Sequence, residues 1–188
     1  MWPKRIVMVF GFRDKEFSNV PIKVETQEAE LRRFSQMRAE MLGNEYLNKE
    51  MWSHIVVTPG GAKELMKALP DSSPSGMPVR APMEAAYEHD DTHWVERAEM
   101  CKLAELYSGG GIAKDCLDCR LTHPEHLEKC RQWCPLLVTG NALSKSGGFY
   151  ESDTIAVPMR FPPLLDLIAT VAGRITSRKA RKRVNGPH

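Results

Sequence analysis

Residues 55–69 read IVVTPGGAKELMKAL, and this stretch decides the class of fold. Three β-branched or apolar residues, Ile55, Val56 and Val57, predict a strand. The break at Pro59-Gly60-Gly61 ends it, and Ala62 to Leu69 regains helical character. Thr58 as N-cap with Pro59 in the first turn accounts for the turn as a helix start. The same backbone N–H groups could receive a phosphate or carboxylate, although neither the P-loop nor the dinucleotide fingerprint is present.

Upstream, residues 5–12 and 20–25 are short β-rich runs separated by a polar stretch, with Pro21 placing the second at an edge or a strand start. Residues 28–51 carry Leu31, Phe34, Met37, Met41, Leu42, Tyr46 and Leu47 mostly three or four apart, the period of a helix with one buried stripe. Residues 1–70 therefore read as a small ββαβα unit. Downstream, Pro70, Pro74, Pro78 and Pro82 with Ser72, Ser73, Ser75 and Gly76 predict an extended Pro/Ser arm over 71–91. A helix is expected over 92–107, ended by Gly109, Gly110 and Gly111, and a Cys-bearing segment follows to 135. Residues 136–188 read as a loop and then a basic C-terminal helix. The fold class is α+β.

Four of the five cysteines, Cys116, Cys119, Cys130 and Cys134, fall within 19 residues. Thr122 and Glu125 have the spacing of a capping box, with Pro124 in the first turn, so a helix is expected to start at 123. Cys130 and Cys134 then share a face, as do Cys116 and Cys119 if 113–121 is helical, and an antiparallel hairpin would bring the pairs together. Oxidised, the hairpin would carry two disulfides, Cys116–Cys134 and Cys119–Cys130. Reduced, the four thiolates would hold one Zn²⁺. The segment resembles the twin-Cys helical hairpins of mitochondrial intermembrane-space proteins, such as the small Tim chaperones and the coiled-coil-helix domains. Its first pair is spaced one residue closer than in the small Tim chaperones. Cys101, beside Met100 and Leu103, reads as a small core residue. His89 and His93 flank an acidic pair, and a helix start at Asp91 or Thr92 explains them without a metal.

Leu164, Leu165, Ile168, Val171 and Ile175 predict an amphipathic helix over 164–176. Arg174, Arg178, Lys179, Arg181, Lys182 and Arg183 follow in ten residues, a candidate partner-binding cluster for RNA phosphates or an anionic lipid surface.

Hydrophobic residues make up 42% and charged residues 27%, the balance of a folding chain and too apolar for a disordered one. A formal net charge of +2 gives no global field, so attraction to nucleic acid or membrane must be local. No apolar run reaches the length that crosses a bilayer, and residues 6–10 read as a strand rather than a leader. No convergent nucleophile, base and acid are visible, and no catalytic residue is assigned. The leading expectation is a non-catalytic subunit of a large multiprotein assembly, with other protein subunits as partners and a mitochondrial location. The alternatives are a zinc-binding, RNA-associated or organellar ribosomal protein, and a small α/β enzyme.

Overall fold

Ile6, Val7 and Met8 are all buried, which places their strand inside a sheet covered on both faces. The computed structural model describes residues 1–12, 24–114, 123–134, 137–141 and 149–184. Its strands are β1 (Arg5–Val9), β2 (Ser53–Val57), β3 (Gly111–Lys114), β4 (Leu137–Asn141) and β5 (Phe149–Val157). They form a five-stranded sheet in the order β2-β1-β3-β5-β4. β1 is parallel to β2, with Val7 opposite Ile55, and to β3, with Val7 opposite Ala113. β5 is antiparallel to β3 and to β4, so β4 shares the direction of β1, β2 and β3.

The helices are α1 (Val24–Leu42), α2 (Glu45–Lys49), α3 (Ala62–Lys67), α4 (Arg80–Glu88), α5 (Trp94–Gly109), α6 (Pro124–Trp133) and α7 (Pro162–Val184). On one face Val7, Val57, Ala113, Ile155 and Val157 meet side chains of α3, α4, α5 and α7 in one core. On the other, Ile6, Met8, Ile112 and Ala156 meet Phe34, Met37, Leu47, Leu127, Trp2 and Trp52. Alternate residues of each strand thus feed two cores, giving three layers with the sheet in the middle. The chain is mixed α and β, as its sequence indicates.

Several local expectations are corrected. Residues 24 and 25, expected at the end of a second strand, lie in α1, and residues 20–23 fall outside the described residues. The single helix expected over 28–51 is two, because Asn44 caps α2 by accepting from the Leu47 N–H at 3.0 Å. The Pro/Ser stretch over 71–91 is not an extended arm. Ser72 bridges Pro78, the Ser75 hydroxyl donates to Asp166 on α7 at 2.6 Å, and α4 buries Met83, Ala86 and Tyr87. Pro82 is tolerated because it sits in the first turn of α4, where a missing N–H breaks no helical bond. Much of the loop expected after Val138 is strand, β4 and β5, whose Ile155, Ala156 and Val157 are buried.

Between α5 and β3 the chain turns on three glycines. Gly110 and Gly111 have φ of +62° and +108°, and a Cβ on Gly111 would lie 2.6 Å from the Arg5 carbonyl oxygen. Glycine is required there both for its backbone conformation and for the close approach of β1. The basic helix is present and longer than expected. Leu164, Leu165, Ile168 and Ile175 are buried along it, and it continues to Val184.

Candidate functional site at the carboxyl edge of the sheet

The direction of each helix follows from its contacts. Arg160 N–H donates to the Tyr107 carbonyl at 2.8 Å, and Arg5 reaches Glu105 and Gly110, so the end of α5 and the start of α7 lie at the amino edge of β1. The first turn of α5 and the basic end of α7 therefore lie toward the carboxyl edge, and the Arg178–Glu96 ion pair joins them.

At that edge β1 runs out through Phe10, stacked on Phe34 with ring centroids 4.0 Å apart. Gly11 follows, with φ of +85° and its α-carbon turned toward Pro59, and then Phe12, which is buried. β2 ends beside it at Val57; Thr58 follows in extended conformation with no side-chain cap bond and leads into a tight turn over Pro59–Gly61. A Cβ on Gly61 would meet nothing within 4 Å. Thr58 is the N-cap residue that its sequence suggests, yet its hydroxyl makes no capping bond. Strand order reverses at β1: the chain goes to β2 on one side and returns past β1 to β3 on the other. The first connection carries α1 and α2 on one face; the second carries α3, α4 and α5 on the opposite face. Connections that part to opposite faces leave a crevice outside the strand ends, the usual place for a ligand in such sheets.

The surrounding side chains are tied down. His93, not Asp91 or Thr92, caps α5: its Nδ1 accepts from the Val95 N–H at 3.3 Å, while Glu96 accepts from the His93 N–H at 3.0 Å. Thr92 is buried and donates to the Ala86 carbonyl at 2.5 Å. His89 accepts from the Asp91 N–H at 3.2 Å, so both histidines are engaged in the α4–α5 connection. Buried Arg97 donates to the Tyr87 and His89 carbonyls at 2.8 and 3.0 Å. Cys101 is a core residue, as expected, and burial pushes its thiol up to about 12. A thiol held protonated in this way is a poor nucleophile.

The cysteine cluster is only partly described. Cys116, Cys119 and Thr122 lie outside the described residues. Ala113 and Lys114 belong to β3, so the expected first helix of the hairpin does not begin there. α6 does start at Pro124, but its N-cap is His123, whose side chain makes no capping bond; His123 Nδ1 lies 3.1 Å from the Glu125 carboxylate instead. Cys130 lies on α6 against the second core and Cys134 caps its end, with its carbonyl accepting from Trp2 Nε1 at 3.1 Å. Both carry free thiols, so the expected disulfide staple, Cys116–Cys134 and Cys119–Cys130, is not present. Among the described residues no three His, Cys, Asp or Glu side chains group to hold a metal ion, and two of the four expected ligands are not among them. Of the basic cluster, Arg174 and Arg178 are exposed, and Lys179, Arg181, Lys182 and Arg183 lie on the last turns of α7.

Among the described residues no helix is long and apolar enough to cross a membrane. No protein family matches the chain, and neither a curated protein nor a solved structure shows significant similarity to it.

The reversal of strand order at β1 is not readable from the sequence, because it depends on the pairing of β1 with both β2 and β3, and β3 is a four-residue strand that opens on Gly111.

Proposed function

We propose that the chain is a ligand-binding α/β domain, an elaboration of the small α/β enzyme reading, with its site outside the carboxyl ends of β1 and β2. The observation that carries this is the reversal of strand order at β1, with the two connections covering opposite faces. Gly11 and the Thr58–Gly61 turn support it by bringing backbone, rather than bulky side chains, to the edge of the crevice. The residues assigned to ligand contact are Gly11, Thr58, Gly60 and Gly61.

The test is thermal melting of the intact chain against nucleotides, sugar phosphates and small carboxylic acids. A ligand at about a hundred times its Kd stabilises by about 2.7 kcal/mol. Gly61→Val adds bulk where nothing stands within 4 Å, so it should abolish the stabilisation and leave the unliganded melt unchanged. A panel with no hit, or a Gly61→Val variant that keeps the full shift, would overturn the assignment.

The reading as a non-catalytic subunit of a larger, mitochondrial assembly loses the 71–91 arm as an argument, since that stretch packs on its own core. The strongly localised cations at the end of α7 still favour a charged partner. Stoichiometric co-purification with other subunits would support the assembly reading. The zinc-binding alternative draws on Cys130 and Cys134, free and one helical turn apart; elemental analysis of the native protein decides it.

A further inference from the structure

We infer that the amino edge of the sheet, opposite the ligand site, docks on an anionic membrane surface through exposed Trp and Met side chains set among cations. The inference is independent of the reading of the crevice at β1.

Four large apolar side chains are more exposed than any others among the described residues: Met51 at 84%, Trp133 at 82%, Met1 at 68% and Met159 at 59%. All four lie at one edge. Met51 precedes Trp52, whose ring meets that of Trp2 edge-on with centroids 6.0 Å apart. Trp133 precedes Cys134, whose carbonyl accepts from Trp2 Nε1 at 3.1 Å. Met159 lies just beyond β5, and a Cβ on Gly110 would fall 2.5 Å from its backbone nitrogen and 2.9 Å from Pro3 Cδ. Three separate segments thus ring residues 1–3, just before β1. β2 and β5 are three strand spacings apart in the sheet, which puts the ends that carry Met51 and Met159 about 14 Å apart, close enough to meet one surface together.

The backbone marks two of these turns. Among the described residues only Met51 and Arg160 combine a side chain with a left-handed conformation, with φ of +55° and +52°. That conformation favours glycine and strains a residue as bulky as methionine. A requirement of the fold alone would be better met by glycine at position 51. Strain of this kind collects at functional turns, and here it sits at Met51 and beside Met159.

Charge selects the partner. Lys4, Arg5 and Arg131 are paired with Glu50, Glu105 and Glu128. Lys49, Lys129 and Arg160, on the same segments as Met51, Trp133 and Met159, are exposed and form no ion pair among the described residues. The core of a close-packed protein interface is depleted in lysine, whereas the headgroups of an anionic bilayer attract it. Tryptophan favours the boundary between headgroups and acyl chains, and methionine adapts to an irregular apolar surface. Side chains on turns reach only that boundary, so the attachment needs no spanning helix. Docked in this way, the chain turns Gly11 and the Thr58–Gly61 turn away from the bilayer, toward ligands in solution.

The experiment is sedimentation of the full chain with phosphatidylcholine vesicles containing about 30% phosphatidylserine, with tryptophan emission as a second readout. Leaving out the phosphatidylserine should weaken binding at least about tenfold. Trp133→Ala should weaken it by a similar factor, at least about tenfold, with the melt unchanged. Emission of the parent should shift to the blue on binding, and Trp133→Phe should lose most of that shift, because Trp2 and Trp52 are already buried. Met51→Gly separates binding from folding. It should melt no lower than the parent, since glycine relaxes the φ of +55°, and yet bind about threefold more weakly. The inference is overturned if the parent does not sediment with the anionic vesicles. It is overturned equally if Trp133→Ala and Met51→Gly bind as the parent does, the result expected were the basic end of α7 the point of contact. A dimer in the absence of lipid that Trp133→Ala dissociates would make a second copy the occupant and overturn it as well.

Discussion

Arg5 Nη2 lies 2.5 Å from Glu105 Oε1, and Arg5 Nη1 donates to the Gly110 carbonyl at 3.0 Å. The first residue of β1 thereby holds the end of α5, and the space for the guanidinium exists because residue 109 has no side chain: a Cβ there would fall 1.6 Å from Nη1. Gly109→Ala should displace Arg5 and leave Glu105, 9% exposed, with its partner removed. A loss of about 2–4 kcal/mol is expected, measured by urea unfolding. Gly173→Ala is the contrasting case. It lies within α7 with nothing within 4 Å of its Cβ, and it should stabilise by about 0.5–1 kcal/mol. Equal effects of the two substitutions would show that the Arg5 clamp contributes nothing.

That clamp marks the boundary of what was legible beforehand. Runs with one dominant period could be read: Ile55, Val56 and Val57 as a strand, and the Leu164 to Ile175 stripe as a docked helix. The three glycines announced the end of α5, but not that Arg5, a hundred residues earlier, fills the space they leave. Proline density over 71–91 conceals α4, because Pro82 falls within a first turn where it breaks no helical bond. β3, Gly111–Lys114, is only four residues long and opens on a glycine, so its sequence does not announce a strand, and the order that reverses at β1 depends on it; Gly140 likewise dilutes the β character of β4. For the candidate site, Thr58 and the Gly60–Gly61 turn stand out in the sequence, whereas the role of β1 depends on pairing that no local pattern encodes.

Glu96 closes the first turn of α5 and also binds Arg178, so one carboxylate serves two helices. Glu96→Ala should cost about 1–2 kcal/mol, the size of a lost cap with a modest ion-pair contribution. Arg178→Ala should cost less than about 0.5 kcal/mol, because its side chain is more than half exposed. Chemical denaturation of both variants gives the comparison; a larger loss for Arg178→Ala would assign the stabilisation to the ion pair rather than to the cap.

Burial pushes Cys101 from its ordinary 9.0 to about 12, and burial, reinforced by Cys101, pushes Tyr87 from 10.0 to about 12. Both groups stay neutral in the folded protein over a range where the unfolded chain has already lost those protons. Their contribution is complete below about pH 9 and is lost as the pH rises toward 12, by up to about 1.4 kcal/mol per pH unit for each group. Cys101→Ala should flatten the part of the stability profile that begins near pH 9. A slope there identical to that of the parent would remove Cys101 as its cause. Native-state alkylation followed by mass mapping should leave Cys101 unmodified while Cys130 and Cys134 react.

On the opposite face of the sheet, both ring nitrogens of His54 are buried without a hydrogen-bond partner among the described residues. Burial first, and then Arg38, holds the imidazole below its usual 6.5. The unfolded chain takes up this proton first as the pH falls, so stability present above about pH 6.5 declines below it. His54→Phe should be neutral or stabilising at pH 7 and should flatten the acid limb. Loss of more than about 1 kcal/mol at neutral pH would show that the imidazole makes a polar contact worth keeping.

The stretch over 71–91 offers a test of whether composition or packing governs order. Its prolines and serines suggest an accessible arm that a protease would cut first. Its packing implies the reverse: Val79, Met83 and Ala86 are fully buried, Tyr87 nearly so, and the Ser75–Asp166 bond ties the turn to α7. Opening this segment exposes part of the core shared by α3, α5 and α7, so local unfolding should cost nearly as much as global unfolding. Limited digestion of the native chain should therefore leave 71–91 intact until urea approaches the unfolding midpoint. Met83→Ala should cost about 2–4 kcal/mol through the cavity it leaves and should bring cleavage of this stretch and global unfolding forward together. Early cleavage between Pro70 and Asp91 in the untreated parent would mean that α4 is held loosely, and that the core here is smaller than its buried residues imply.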